Sequence, residues 1–327
     1  MSRVLVTGGA GYIGSHTCKE LARAGHEPVT LDDLSTGHSW AVKWGPLVEA
    51  DLADRDRVQT VIREQGIETV LHFAAHAYVG ESMREPRKYF RNNVANTLNL
   101  LDAMLDTDVA TIVFSSSCAT YGIPSVVPIT EEAEQRPVNA YGESKLMVER
   151  ILNWYGKAYG LRWIGLRYFN AAGADPDGEL GEVHEPEPHV LPLAIRAGLG
   201  QDPSFRIFGT DYPTPDGTAI RDYIHVTDLA HAHVCALNYL AMDKASTYFN
   251  IGTGVGHSVR EVISAVEEAT GNSVPIVEAR RRDGDAPVLV ADGSRAVRDL
   301  GWTATHSSLN EIVETARRWH DHTNQSK

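Results

Sequence analysis

The chain has 327 residues, of which 43% are hydrophobic and 22% charged, and its formal net charge is −13. This composition is ordinary for a globular protein, and the negative field would repel nucleic acid and anionic membrane surfaces. No apolar run reaches the roughly 18 residues of a membrane span, so we expect no nucleic-acid and no membrane partner.

Cysteine and histidine usage limits the other classes of site. The three cysteines lie far apart and form no Cys-x-x-Cys pair, so we expect neither a disulfide framework nor a zinc ribbon. The 14 histidines are scattered, and we expect no metal site. The N-terminus enters a β-rich run directly, which leaves no room for a secretory signal and favours a cytoplasmic location.

The first predicted strand, residues 4–7, runs into Gly8, Gly11 and Gly14, and a helical pattern follows. Gly8 permits a tight turn, Gly11 lets the backbone approach a pyrophosphate, and Gly14 lets the helix pack close on the sheet. The helix N-terminus adds free N–H groups and a positive dipole end. Asp32 ends the second predicted strand about 20 residues further on, where it can bind a ribose. This combination predicts a dinucleotide site.

The first half of the chain alternates short β-rich runs with segments of helical spacing, such as 16–24 and 93–105. The β-rich runs end near Thr7, Leu31, Asp51, Ala74, Ser116 and Phe169. Such alternation implies a parallel sheet that is covered on both faces and has right-handed crossovers. With the glycine motif at its start, it predicts a Rossmann-type, doubly wound α/β domain.

Ligands of such sheets bind beyond the carboxyl ends of the strands, so the residues there are candidates. Asp51 and Leu52 follow the third run and could meet an adenine, or Asp51 could cap the next helix. Residues 73–75 end the fourth run and are mostly small, which would let a cofactor pass. Residues 115–117 are three serines at the end of the fifth run. They could cap a helix, but their place at the sheet edge favours a functional role.

Tyr141 and Lys145 begin a segment with helical spacing that extends to about Lys157. Because they are four residues apart, they share one helix face. A tyrosine and a lysine at this spacing can also be ordinary surface residues. Together with the glycine loop and the serines, however, the pair predicts catalysis.

The regular alternation stops after Asn170. Residues 171–190 and 200–225 are rich in Gly, Pro and acidic residues and are predicted to form long loops. Residues 248–251 predict a strand that returns to the sheet, and helices are predicted over 259–269 and near 309–320. We therefore expect a smaller, discontinuous α+β C-terminal domain that binds substrate. The predicted dinucleotide-binding domain comprises 1–170 with about 223–252, and the second domain comprises 171–222 and 253–327.

Four stretches resemble the extended short-chain dehydrogenase/reductase family: residues 7–14, 115–117, Tyr141-x-x-x-Lys145 and 167–170. Three others, 79–82, 211–218 and 221–226, are similar to the 4-epimerases of UDP-galactose and UDP-glucose within that family. The likeness covers essentially the whole chain. It implies NAD as the cofactor, a UDP-sugar as the substrate, and a homodimer that pairs the helices near 93–105 and 141–157 of each subunit.

The resemblance also implies roles for individual residues. The chemistry would be done by Ser117, Tyr141 and Lys145. NAD would be held by Gly8, Gly11, Tyr12, Ile13, Asp32, Asp51, Leu52, Phe73, Ala74, Ala75, Asn92, Ser115, Tyr141, Lys145 and Tyr168. The sugar nucleotide would contact Ser117, Tyr141, Asn170, His189, Val190, Phe208, Arg221, Tyr223, Arg282, Asp285 and Leu289.

In the implied reaction, a hydride leaves C4 of the sugar for NAD while Tyr141 takes the proton of the 4-hydroxyl. Tyrosine has an ordinary pKa of about 10, so it is a poor base at neutral pH. Lys145 and the positive nicotinamide would favour the phenolate. Lowering this pKa by about 3 requires roughly 4 kcal/mol of differential interaction.

Three departures leave the sugar open. Ala77, His189 and Leu289 stand where many relatives carry lysine, asparagine and tyrosine. Residues 77–82 and 117–122 also look like those of 4-epimerases that act on UDP-xylose and UDP-arabinose, so a pentose is the alternative substrate.

Three other functions on the same fold are less favoured. A nucleotide-sugar 4,6-dehydratase would carry an Asp-Glu pair after the strand-five hydroxyl, where this chain has Cys118 and Ala119. A non-catalytic NAD-binding sensor would be free to lose Tyr141 or Lys145, and both are present. A net dehydrogenase would need NAD and NADH to exchange freely.

Overall fold

The structure, a computed structural model, describes residues 1–282 and 284–325. In chain order its strands are β1 (Arg3–Thr7), β2 (Glu27–Asp32), β3 (Leu47–Glu49), β4 (Thr69–His72), β5 (Thr111–Ser115), β6 (Arg162–Tyr168), β7 (Asn170–Ala172), β8 (Phe205–Phe208), β9 (Ile220–His225), β10 (Thr247–Ile251), β11 (Gly256–Ser258), β12 (Ile276–Ala279) and β13 (Val288–Leu289). Its α-helices are α1 (Tyr12–Arg23), α2 (Arg55–Glu64), α3 (Val79–Ser82), α4 (Pro86–Tyr89), α5 (Asn96–Leu105), α6 (Ala140–Tyr159), α7 (Val190–Gly198), α8 (Val226–Ala241), α9 (Val259–Thr270) and α10 (Leu309–Gln325).

Within the described residues, the main sheet has seven parallel strands in the order β3-β2-β1-β4-β5-β6-β10. Apolar residues of α1 and α8 cover one face, and those of α2, α5 and α6 cover the other. Strands that are buried on both faces read as continuous apolar runs, as residues 4–6 of β1 do. The predicted Rossmann-type, doubly wound sheet is confirmed, and β10 lies beside β6, as the run 248–251 predicts.

A second, smaller unit has its own core. Strand β9 pairs with β7, β11 and β13, while β8 pairs with β12. Helices α7, α9 and α10 bury apolar residues against β8 and β9. The prediction that residues 200–225 are loop is therefore wrong in part, because β8 and β9 lie within that range. Both strands are short, and the Gly, Pro and Asp residues between them hide their pattern.

Helix α6, which carries Tyr141 and Lys145, has well-defined ends. The Asn139 side chain accepts a hydrogen bond from the Gly142 N–H at 2.8 Å, and Gly160 ends the helix with φ 74°. Asparagine is a favoured N-cap, and glycine adopts the left-handed conformation at a helix end without a Cβ penalty. The helix predicted from residue 141 to about residue 157 is confirmed, with its ends shifted by one or two residues.

A buried ion pair joins α6 to the two neighbouring strands. The Glu149 carboxylate accepts hydrogen bonds from the Arg167 guanidinium at 2.7 and 2.8 Å, and their side chains are only 1% and 2% exposed. Glu149 also accepts from the Ser116 hydroxyl and the Gln135 amide, and Arg167 donates to the Tyr121 hydroxyl. Since every charged group has a partner, this network fixes α6 against the ends of β5 and β6.

The length and composition of the helices test the prediction that the chain has no membrane span. None of the described helices combines the length and the apolar character that crossing a membrane requires.

Candidate active site

The register of the main sheet brings the predicted cofactor residues to one edge. Thr7 pairs with both Leu31 and His72, and His72 pairs with Phe114. Because carboxyl ends of parallel strands that are in register lie side by side, the residues that follow line a single edge. That edge is formed by Gly8, Asp32, Phe73, Ser115 and Tyr168.

The glycine turn after β1 has no room for side chains. Gly8 has φ 73°, and a Cβ placed on it would lie 2.6 Å from the Ala74 backbone nitrogen. A Cβ on Gly14 would lie 2.2 Å from the Gly8 carbonyl oxygen. Among the described residues, no side chain caps α1 at Gly11, so the first backbone N–H groups of the helix are left for a ligand. The turn therefore fits a dinucleotide pyrophosphate.

Asp32 offers a carboxylate beside this turn. Its oxygens accept hydrogen bonds from the Ala10 and Leu34 N–H groups, each at 2.9 Å, and the residue is 7% exposed. Burial raises the pKa of Asp32, although these two N–H groups oppose the shift. A carboxylate has more acceptor sites than two donors fill, so Asp32 can also accept from ribose hydroxyls.

Two further residues that are predicted to bind the cofactor, Asp51 and Tyr12, make hydrogen bonds within the protein. Asp51 is exposed and accepts a hydrogen bond from the Ala53 N–H, whereas Asp54 caps α2 by accepting from the Arg57 N–H. The alternative that Asp51 is the helix cap is therefore wrong. The Tyr12 hydroxyl donates to the Gly173 carbonyl at 2.6 Å and fastens the start of α1 to the loop after β7.

Asn93 was not among the predicted site residues, yet it organises the loop beside Asn92. Its amide nitrogen donates to the His76 carbonyl and the Ser144 hydroxyl, and its oxygen accepts from the His76 N–H. Asn93 therefore joins the segment after β4 to α6. Its neighbour Asn92 contacts the same amide oxygen at 3.1 Å. No pattern in the sequence distinguishes Asn93 from the polar residues around it.

The predicted catalytic residues meet where β5 ends. Lys145 donates from Nζ to the Ser115 carbonyl at 2.7 Å, and this nitrogen lies 5.8 Å from the centre of the Tyr141 ring. The Ser115 hydroxyl contacts the Tyr168 hydroxyl. The Ser117 hydroxyl accepts a hydrogen bond from the Ala119 N–H at 3.1 Å. Ser117, Tyr141 and Lys145 are all buried.

Burial dominates the electrostatics of this group. It raises the pKa of Tyr141, and a hydrogen bond with Ser117 lowers this pKa only in part. It also lowers the pKa of Lys145 to about 7, although the charge of Glu149 opposes the shift. In the protein alone the pKa of Tyr141 is raised, so the expected lowering by Lys145 does not appear there. A cationic ring bound beside Tyr141 would add the charge that the phenolate requires.

The smaller unit supplies a wall that meets the main sheet beside the end of β5. Arg221 pairs with Leu289 in the small sheet, and its guanidinium lies 4.0 Å from the Asp285 carboxylate. Leu289 packs against the apolar cluster that contains Cys118, which directly follows Ser117. The Arg282 guanidinium lies over the Phe208 ring at 4.0 Å. Asn170 and Tyr223 pair in the same sheet.

His189 lies at the end of the loop before α7, in a group of side chains that the sequence did not predict. It is the N-cap of α7, just before Val190, and its Nδ1 lies 2.7 Å from Glu187 and 2.9 Å from Glu182. His184 lies beside the same two carboxylates. Burial alone would lower the histidine pKa values, but the carboxylates raise that of His184 to about 9 and that of His189 to about 10. The spacing Glu-x-His-x-x-Glu-x-His in the loop is the signal that could have identified the group.

Residues 4–252 match the model of the NAD dependent epimerase/dehydratase family. The chain is 49% identical over 324 residues to a UDP-glucose 4-epimerase of Rhizobium meliloti (strain 1021), covering 99% of this chain and 98% of that protein. A UDP-glucose 4-epimerase from Brucella ovis, solved in complex with NAD, superposes with a TM-score of 0.95 at 51% identity, covering 98% of each chain. A UDP-glucose-4-epimerase from Stenotrophomonas maltophila, solved with bound NAD and formylated UDP-arabinopyranose, gives a TM-score of 0.96 at 41% identity, covering 100% of each chain.

Proposed function

The chain belongs to the NAD dependent epimerase/dehydratase family, and we propose that it is an enzyme that interconverts UDP-galactose and UDP-glucose with bound NAD. The observation that carries this proposal is the meeting of Ser117, Tyr141 and Lys145 at the end of β5, beside the glycine turn. An assay that follows UDP-galactose as it becomes UDP-glucose tests the proposal.

We propose that the glycine turn and Asp32 hold NAD. The close packing of Gly8 and Gly14 fits the pyrophosphate, and the Asp32 carboxylate suits the ribose hydroxyls. When bound, NAD accepts a hydride from C4 of the sugar and returns it to the opposite face.

The residues of the chain would position the sugar and move its proton. Tyr141 would take the proton of the 4-hydroxyl, and Ser117, whose hydroxyl lowers the pKa of Tyr141, would hold that hydroxyl in line. In its protonated form, Lys145, held by the Ser115 carbonyl, would stabilise the negative charge on Tyr141. Since Tyr141 and Lys145 are buried, water would not screen this interaction strongly.

The wall of the smaller unit suits the nucleotide part of the substrate. Guanidinium groups bind oxyanions through paired donors, so Arg221 and Arg282 would bind the diphosphate. Arg282 already lies over Phe208 at 4.0 Å, which limits its freedom before the substrate binds. Asn170, Tyr223 and Leu289 would contact the sugar from the same sheet.

The first prediction concerns cofactor choice. We expect the protein to bind NAD about 10²-fold or more tightly than NADP, because a 2′-phosphate would lie against the Asp32 carboxylate. Two unit charges 4 Å apart repel by about 4 kcal/mol at a protein-like dielectric of 20. Calorimetric titration of the cofactor-free protein with each dinucleotide measures the two Kd values and hence the preference.

Two variants test whether Asp32 causes that preference. Asp32→Asn keeps the shape of the side chain and removes its charge. The ratio of the NADP Kd to the NAD Kd should therefore fall by at least about 10-fold. Asp33→Asn is the matched control, since the neighbouring Asp33 is exposed and its side chain, among the described residues, bonds only the local Ser35. If purified protein carried NADP, the assignment of Asp32 would be wrong.

The second prediction concerns the sugar. Leucine at 289 is shorter than tyrosine, but it still occupies part of the space that a bulky 2-acetamido group needs. We expect UDP-galactose and UDP-glucose to be the best substrates, with weak or no activity on UDP-N-acetylhexosamines. A pentose that lacks the CH₂OH group loses only contact area, about 1–3 kcal/mol or 10–200-fold in kcat/KM. Measurable pentose activity is therefore expected.

The variant Leu289→Tyr tests this assignment. It should suppress any N-acetylhexosamine activity and leave kcat/KM for UDP-galactose within a few-fold of the parent value. Val288→Ile, one residue earlier in β13, is the control, because adjacent strand residues point to opposite faces. An unchanged ratio of the two kcat/KM values in Leu289→Tyr would show that residue 289 does not lie over the sugar.

The organisation of the protein around this site is also part of the proposal. Residues 1–170 with about 223–252 would bind NAD, and 171–222 with 253–327 would bind the sugar nucleotide. The packing of α8 and β10 on β6 supports this division. We also propose a homodimer in the cytoplasm. Two aromatic residues of α6, Trp154 and Tyr159, are 67% and 62% exposed, which supports a partner on that helix.

A further inference from the structure

A compact group of four side chains lies in the loop between β7 and α7, and the last of them is the N-cap residue of α7. We call Glu182, His184, Glu187 and His189 the loop cluster. One donor atom from each of the four residues lies within 4.8 Å of all the others. The side chains of Glu182 and Glu187 are only 7% and 5% exposed. The two carboxylates are thus held away from bulk water, while the His184 and His189 side chains beside them are 17% and 42% exposed.

The spacing of these donor atoms suits a tetrahedral ion. His189 Nδ1 lies 2.7 and 2.9 Å from its two carboxylate oxygens, and His184 Nδ1 lies 3.3 and 3.6 Å from the oxygens of the same two glutamates. A tetrahedral zinc ion with bonds of about 2.0–2.1 Å keeps its ligand atoms roughly 3.3 Å apart. These four nitrogen–oxygen distances bracket that value, and shifts of up to about 0.6 Å would bring each of these pairs to the spacing of two corners of such a tetrahedron.

One atom of the cluster has no hydrogen bond. His184 Nδ1 is buried, and none of the described residues pairs with it in hydrogen-bond geometry, although it faces two carboxylates. An ion at the centre of the cluster would satisfy this nitrogen. A nearby acidic group differs in this respect, because Asp175, Asp177 and Glu179 already surround the Lys19 ammonium at 2.6–2.8 Å.

We propose that the loop cluster binds one divalent transition-metal ion of the zinc type, with Glu182, His184, Glu187 and His189 as its four ligands. Mixed imidazole and carboxylate ligands suit zinc better than calcium or magnesium, which prefer oxygen alone. The two carboxylates balance the charge of a divalent ion, so the buried group stays neutral when neutral histidines bind it. This proposal departs from the sequence-based expectation that the histidines form no metal site.

The ion would act on the loop rather than on the reacting atoms. The ligands span residues 182–189, and the last of them is the N-cap of α7. Both histidine rings also lie beside Tyr78, with ring centres 5.8 and 6.1 Å away. Binding would therefore tie the start of α7 to the loop that reaches Tyr78. Because only Nδ1 of His189 would bind the ion, its Nε2 would be left for the sugar nucleotide.

The experiment uses the full-length protein after removal of any affinity tag and of metal by chelation. Zn²⁺ alone is titrated in by calorimetry, and Co²⁺ is titrated in parallel to read the visible spectrum of a tetrahedral site. We expect one ion per chain, a higher Tm with the ion, and weaker binding at lower pH, where protons compete for the histidines. His184→Asn should weaken binding by about 10²-fold or more and abolish the Tm shift.

A matched control separates this site from ordinary histidines. His306 Nδ1 lies 2.6 Å from Glu311 in a two-residue pair elsewhere in the chain, so His306→Asn should bind the ion as the parent does. Absence of stoichiometric binding would overturn the proposal, and so would equal binding by His184→Asn and the parent. None of these readouts depends on epimerase turnover, so the result is independent of the proposed function.

Discussion

Replacing Tyr141 with phenylalanine is expected to lower the turnover of UDP-galactose by about 10²-fold or more while NAD stays bound. The change removes the proton acceptor and little else, since the ring and its burial are kept. Its effect should appear in kcat and kcat/KM alike, because the interaction is made as the proton moves. Steady-state assays and the NAD content of the purified variant measure both parts of the prediction.

Tyr159→Phe is the control, since Tyr159 lies on the same helix but is 62% exposed and distant from the end of β5. It should keep the parent turnover. Near-normal turnover in Tyr141→Phe would reject Tyr141 as the base. Loss of NAD from that variant would instead indicate a structural or cofactor-binding role for the hydroxyl.

Replacing Glu149 with leucine is expected to lower the free energy of unfolding by about 3–5 kcal/mol, because it leaves the Arg167 charge buried without its main partner. The Ser116 hydroxyl and the Gln135 amide lose their acceptor as well. A loss of this size is a large share of the 5–15 kcal/mol that stabilises a typical domain. Urea unfolding followed by circular dichroism measures it.

An exposed ion pair provides the comparison. Glu134 and Arg136 form a salt bridge with side chains that are 69% and 78% exposed, so Glu134→Leu should change the free energy of unfolding by at most about 1 kcal/mol. Glu149→Gln keeps the volume and should cost less than Glu149→Leu. If Glu149→Leu were no more destabilising than Glu134→Leu, the network would not be what fixes α6.

The sequence predicts the first half of the fold well, because the short apolar runs of the strands alternate there with segments of helical spacing. Buried parallel strands read as short apolar runs, and the helices between them show a separate spacing. The glycines then fix where the sheet begins, and the closeness of Gly8 to Ala74 shows why no other residue fits. The strand returning at 248–251 is equally visible, since it is buried against β6.

The second half shows what such patterns miss. Strands β8 and β9 are short and lie among turn residues, so their pairing depends on partners far along the chain, β12 and β13. The loop cluster was not predicted for the same reason. The two glutamates and two histidines are visible in the sequence, but only the fold brings their side chains together. The pKa of Tyr141 also depends on burial, which a residue spacing does not report.

The most direct test of the central claim is proton NMR of purified protein incubated with UDP-galactose, with no NAD in the assay and in a parallel sample with NAD added. We predict conversion to an equilibrium mixture of UDP-galactose and UDP-glucose without net accumulation of NADH. UDP-arabinose in a third sample should react more slowly. Absence of UDP-glucose in both UDP-galactose samples, or stoichiometric release of NADH with an oxidised sugar, would contradict the account.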